Sequence, residues 1–262
     1  MNDAKKMKNM IKKSLAFVLV LIMAVSVLGV VPVFAEETVA VTGTYTYTPY
    51  SWHRVVKDKT KVFEAESGDG IIANCFYERI ELVGFKKGIK KINKYLKKLS
   101  KAYSVDSLYQ YASEDVAYGR TGDVYSDYVV SDVTYADQNF ISVVTSREWY
   151  AGGVGNHFTD GYVFDLDTGK KLSITKVTGL SAKELRKQFV TMLKKYLGEE
   201  ASYYGDEALE AFVNGIEISD INFCIDGDGK IVILIPPYTE PFYGGWTREI
   251  VLEDIAPVYE RG

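Results

Sequence analysis

Apolar and polar positions along this chain follow two periods, and each change of period marks an element. From Ile71 to Val83 the residues are β-branched and aromatic, which reads as a strand, with the turn Ser67-Gly68-Asp69-Gly70 before it. After Gly84 the spacing lengthens. Phe85, Ile89, Ile92, Leu96, Leu99 and Tyr103 form one apolar stripe at helical spacing, and a weaker helical pattern runs from Asp106 to about Tyr118. Beyond Gly119–Gly122 come strand-like runs at Tyr125–Tyr135, Phe140–Tyr150 and Phe158–Leu166, then turn chemistry at Asp167-Thr168-Gly169-Lys170 leading to Leu172–Ile174.

Ser181-Ala182-Lys183-Glu184 fits a capping box, with Leu180 and Leu185 placed as its hydrophobic staple. Leu185, Phe189, Met192, Leu193 and Tyr196 form the predicted buried stripe of that helix, which ends at Gly198. A shorter helix, Glu207 to Val213, stops at Asn214-Gly215. Ile221–Ile225, the turn Asp226-Gly227-Asp228-Gly229 and Lys230–Ile235 read as a hairpin. Strands and helices do not alternate regularly, so the predicted class is α+β, a mainly antiparallel sheet with two or three helices packed on one face. Residues 71–262 are assigned to one domain, and 36–70 to an extended lead-in carrying the alternation Thr44-Tyr45-Thr46-Tyr47-Thr48.

The N-terminus changes where that domain is expected to work. Lys5, Lys6, Lys8, Lys12 and Lys13 precede an uncharged run, Ser14 to Ala35, that ends in small residues at Val33-Phe34-Ala35. That order makes residues 1–35 a cleaved secretory signal, the alternative being an uncleaved membrane anchor. Without them the chain has 26 basic and 34 acidic side chains, a formal charge of −8, since five lysines and Asp3 leave. An acidic surface argues against nucleic acid as a partner, and after cleavage nothing in the sequence calls for a membrane. Cys75 and Cys224 lack metal-site spacing. In an exported chain they are free to form a disulfide, and equally free to pack as buried thiols.

Reactive chemistry is sparse. The chain has two histidines, His53 and His157, and neither a G-x-S-x-G elbow, an H-E-x-x-H helix nor a His/Cys cluster at zinc spacing. No cofactor or metal is expected, and the enzyme reading rests on Asp165, Asp167 and His157 as a cell-wall hydrolase or deacetylase-like set. Gly152, Gly153 and Gly155 suit a phosphate cradle only if a helix follows, whereas Phe158 onward is strand-like, so a strand-to-strand turn is predicted. The candidate contact residues are therefore Gly152, Gly153, Asn156 and His157 in this loop. To them are added the C-terminal aromatics Tyr238, Tyr243 and Trp246, and Lys90, Lys94 and Lys97 on the lysine-rich helix.

Three pieces taken in order resemble the exported domain-of-unknown-function family 3298. Ile141–Val144 leads through Tyr150-Ala151-Gly152-Gly153 to Phe164–Leu172, followed by Phe223 to Ile235 and by Pro237-Tyr238, Gly244-Gly245 and Arg248 to Leu252. The strand and lysine-rich helix before them, with Ile92-Asn93, resemble family 4163, which divides the domain into a 71–135 stretch and a 136–262 stretch. The resemblance implies an α+β domain outside Gram-positive-type cells, related to the extracellular half of a lysozyme-sensing anti-sigma factor and to modules beside peptidoglycan deacetylases. Where the family has Gly-Gly-Ala-His this chain has Gly152-Gly153-Val154-Gly155, so that histidine is missing or displaced to His157. No cytoplasmic signalling domain is expected ahead of the apolar run. The expectation that emerges is a secreted, non-catalytic recognition module of the cell envelope, binding a lysozyme-like protein or a wall glycan.

Overall fold

The computed structural model describes residues 50–66 and 68–258. Residues 1–35, expected to be a secretory signal, and the alternation Thr44–Thr48 lie outside them. Five strands, β1 (Tyr50–Phe63), β2 (Ile71–Gly84), β3 (Val124–Ala136), β4 (Phe140–Ala151) and β5 (Val154–Asp165), stand side by side in chain order. All neighbours are antiparallel except β2 and β3, which run parallel over Ile72–Tyr77 and Val124–Val129. A parallel pair needs a crossover, and here it is made by two helices, α1 (Ile89–Ser100) and α2 (Val105–Ala117). The lead-in assigned to residues 36–70 thus contains a sheet strand. β1 pairs with β2 along its whole length. Pairing of β3 with β4 carries the same sheet across residue 136.

Helix α1 buries Ile89, Ile92 and Leu96 against Ile80, Leu82, Ile141, Val143, Tyr162 and Phe164. Its start is fixed by close approach, since a Cβ on Gly88 would lie 2.4 Å from the Leu166 carbonyl oxygen. Phe85, expected at the head of the stripe, precedes the helix and is 90% exposed. Asn93 has a backbone task that overrides its modest helix propensity. Its amide donates to the Leu82 carbonyl and accepts from the Leu82 N–H, both at 2.8 Å, in place of a strand neighbour. Beneath α2, the fully buried Asp127 receives two bonds from the Arg147 guanidinium, at 2.7 and 2.9 Å, and one from the Tyr77 hydroxyl. A buried charge requires that completeness of pairing. Burial, with Cys75 and Asp127 beside it, raises the Tyr77 phenol well above its usual range.

The remaining strands form a second, antiparallel sheet, β6 (Phe223–Ile225), β7 (Ile231–Ile235) and β8 (Arg248–Leu252). It carries its own helices, α3 (Ile174–Thr178), α4 (Ala182–Leu197), α5 (Ala201–Tyr204) and α6 (Asp206–Gly215). The capping box at Ser181 and Glu184 is formed in both directions. The buried stripe of α4 is Leu185, Phe189, Leu193 and Leu197, with Met192 half-buried and Tyr196 exposed, because a strict four-residue step drifts away from the predicted line. The turn expected to lead to Leu172–Ile174 ends in a single bridge from Lys171 to Phe164, and α3 begins at Ile174. The class is α+β, with the mainly antiparallel strands divided between two sheets and helices packed on each.

The sheets meet where β6 crosses β4 and β5. Gly161 leaves the space: a Cβ there would lie 2.1 Å from the Phe223 carbonyl oxygen. Asn222 accepts from the Gly161 N–H at 2.8 Å and donates to the Thr159 carbonyl at 3.0 Å, while the buried Ser142 hydroxyl accepts from the Ile225 N–H at 3.0 Å. Val144 packs with Cys224, Val232 and Leu234. Cys75 and Cys224 are both buried free thiols in different clusters, and burial pushes the Cys224 thiol up to about 12. Gly161→Ala is expected to force the sheets apart and to cost about 2–3 kcal/mol in urea unfolding. An unchanged midpoint would contradict this close contact.

Candidate functional site

Ala151 pairs with Val154, so Gly152 and Gly153 are the two residues of a tight β4–β5 turn. Their φ values of 60° and 87° are both in the left-handed range, which the primed hairpin turn demands and glycine supplies at low cost. β5 begins at once at Val154, so no helix N-terminus follows the glycines.

Two segments singled out separately in the sequence come together along the outer edge of β5. His157 donates its N–H to the Gly245 carbonyl at 2.6 Å and accepts from the Thr247 N–H at 3.1 Å, making Trp246 its parallel bridge partner. The Tyr238 hydroxyl donates to the Asn156 side-chain oxygen, and the Thr159 N–H donates to the Thr247 hydroxyl at 2.8 Å. Gly245 eases this approach, because a Cβ would come within 3.1 Å of the Gly155 carbonyl oxygen, a tight contact. Buried Phe242, set edge-on against Tyr204 and Phe212, anchors the segment. Tyr238, Tyr243 and Trp246 remain 54%, 74% and 58% exposed.

The strand registers extend this edge into a surface. Paired residues share a face of a sheet. The pairs place Asp58, Phe76, Tyr128, Glu148, His157 and Trp246 in one row across the molecule. At a strand spacing of about 4.8 Å the row is roughly 24 Å long. A second row holds Thr60, Asn74, Ser126, Tyr150 and Gly155, and a third holds Val62, Ile72 and Val124. Val62, Val124, Tyr128, Val130 and Tyr150 are exposed, and the Phe76 and Tyr128 rings lie 6.4 Å apart. On this same face the Ser142–Val144 and Gly161–Val163 end is covered by β6, whereas Val62, Val124, Tyr128, Glu148 and Tyr150 of these rows are exposed. Phe76, Tyr128, Glu148 and Tyr150 are not among the candidate contact residues read from the sequence. The strands holding them were legible, but which face each side chain joins depends on register, and the parallel β2–β3 pair has no local signature.

The other candidates lie elsewhere. Asp165, at the far end of β5, accepts from the Asp167 and Thr168 N–H groups at 2.8 and 2.7 Å, and Asp167 pairs with Lys86 at 2.8 Å. Eight residues of extended strand, roughly 26 Å, separate Asp165 from His157, so the hydrolase set does not converge. Lys90, Lys94 and Lys97 are exposed on α1, on the helix side of the sheet and away from the aromatic rows. Among the described residues no group of three or more His, Cys, Asp or Glu side chains is placed to hold a metal.

No protein-family profile matches the chain, and no curated protein matches it. Solved structures do. A DUF3298 family protein from Pseudomonas aeruginosa PAO1 aligns with a TM-score of 0.48 at 15% identity, over 78% of this chain and 91% of its own. A member of the DUF3298 family from Bacteroides fragilis NCTC 9343 aligns with a TM-score of 0.53 at 13% identity, over 80% of this chain and 95% of its own. The resemblance to family 3298 read from the glycine turn, the two hairpins and the Pro-Tyr segment therefore holds in the fold: this chain folds as the solved Bacteroides member of that family does.

Proposed function

We propose that the protein is a secreted, non-catalytic recognition module of the cell envelope whose open sheet face holds a cell-wall glycan. The observation that carries this reading is the row from Phe76 to Trp246. Aromatic rings on a rigid sheet offer apolar contact area at low entropic cost, and the Glu148 carboxylate and His157 imidazole between them supply hydrogen bonds to hydroxyl groups. Secretion is supported by the basic and apolar segments of residues 1–35. A secreted protein such as a lysozyme is the second reading, favoured by the exposed Tyr238, Tyr243 and Trp246, residue types that dominate protein-interface hot spots. The separation of Asp165 and Asp167 from His157 weighs against the hydrolase alternative.

Tyr238 adds an energetic argument. Its φ of +58° is a conformation that costs a side-chain-bearing residue about 1–2 kcal/mol, and such strain concentrates at binding sites. Tyr238→Gly is expected to be more stable than Tyr238→Ala by about 1 kcal/mol in urea melts, and equal midpoints would remove the strain from the account. In sedimentation binding to purified peptidoglycan, Trp246→Ala and Tyr128→Ala are each expected to weaken retention about tenfold. The triple variant Lys90→Glu, Lys94→Glu and Lys97→Glu should leave it unchanged. Retention of lysozyme but not peptidoglycan would select the second reading, and release of soluble wall fragments would select an enzyme.

A further inference from the structure

The two edges of the five-stranded sheet differ. Along β5, outward backbone groups are filled one after another: His157 by Gly245 and Thr247, the Thr159 N–H by the Thr247 hydroxyl, Gly161 by Asn222, the Val163 carbonyl by Leu172, and the Asp165 N–H by Lys170. Along β1, fourteen residues long, no described residue bonds to the outward backbone. In an antiparallel edge strand every second residue turns its N–H and C=O away from its partner, so among the described residues β1 presents an unpaired edge that can template another strand.

Its side chains select what can pair there. Lys57, Lys59 and Lys61 stand opposite Tyr77, Cys75 and Ala73, on the helix side of the sheet. The Lys57 ammonium lies 5.5 Å from the Tyr77 ring centre and that of Lys61 lies 4.4 Å from the Phe63 ring centre. None of the three is in an ion pair among the described residues. Arg54, by contrast, is neutralised by Glu78 and Asp132. A second copy fits badly, because two-fold pairing centred on Lys59 sets Lys59 against Lys59 and Lys57 against Lys61, and like charges directly opposite destabilise a sheet. The charges that block self-pairing are complementary to carboxylates.

We propose that the outer edge of β1, unpaired among the described residues, accepts an extended acidic segment of a partner protein as an added strand, its carboxylates at alternate positions facing Lys57, Lys59 and Lys61. Main-chain hydrogen bonds supply the affinity, and the lysine row supplies register and choice of partner. The lysine row lies on the opposite face of the sheet from the aromatic rows, which β1 joins through Asp58, Thr60 and Val62, and its test does not involve the wall.

The probe is a capped synthetic peptide alternating Glu and Val, compared with one alternating Lys and Val, titrated into the full chain. The Glu peptide is expected to bind about tenfold more tightly than the Lys peptide, with β1 amide exchange slowing on binding. The combined Lys57→Glu, Lys59→Glu and Lys61→Glu variant should reverse the preference. N-methylation of the Glu peptide along one edge should abolish binding, which distinguishes strand addition from charge attraction alone. Equal binding of the two peptides overturns the proposal, as does binding that survives N-methylation. So does full protection of the β1 amides in the free protein, which would mean that the edge is already occupied.

Discussion

The absence of a side chain at Gly161 is the constraint on which the architecture turns. It lets the β6 backbone rest on the first sheet, with the Phe223 carbonyl in the space where a Cβ would stand, and Asn222 completes the contact by bonding as a strand would. Because β6 is short and crosses only near Ser142, Val144, Gly161 and Val163, it covers one end of the face. The other end would be hydrophobic core if a longer strand lay on it. Instead Tyr128, Tyr150, Val124 and Val130 stay in contact with solvent. An apolar surface of this extent, bordered by Glu148 and His157, is the usual mark of an interaction site.

The same contact places the C-terminal aromatics. Residues 236–247 connect β7 to β8, strands of the sheet that meets the first sheet through β6. The connection therefore returns along β5, where the Gly245 and Thr247 backbones pair with His157 and Tyr238 reaches Asn156. Phe242 fixes the loop from beneath while Tyr238, Tyr243 and Trp246 face outward. One packing event thus limits the open face, closes the β5 edge and adds Trp246 to the end of the row.

Legibility of the sequence followed the locality of the cause. The capping box at Ser181, the turn at Asp226–Gly229 and the Gly152-Gly153 corner are each decided within a few residues, and each could be read directly. β1 could not, because an edge strand rich in lysine lacks the hydrophobic alternation that marks half-buried strands. Phe85 and Tyr196 matched the helical period yet lie outside the packed stripe, since period alone does not say where a helix begins or which way its stripe drifts. The candidate site was half legible. Its aromatic segment and glycine turn stood out by composition, but their meeting joins Asn156 to Tyr238, 82 positions apart, and the row through Phe76 and Tyr128 depends on a parallel register set by tertiary packing.

If the half-face left uncovered by β6 is where the ligand rests, hydroxyl-radical footprinting of the intact protein on insoluble wall glycan should find it. Tyr128, Tyr150 and Trp246 are then protected together, while Tyr118 and Tyr203, exposed on helical segments elsewhere, keep their full reactivity. Protection of Tyr118 or Tyr203 with the sheet face left reactive would place the ligand elsewhere and contradict the account.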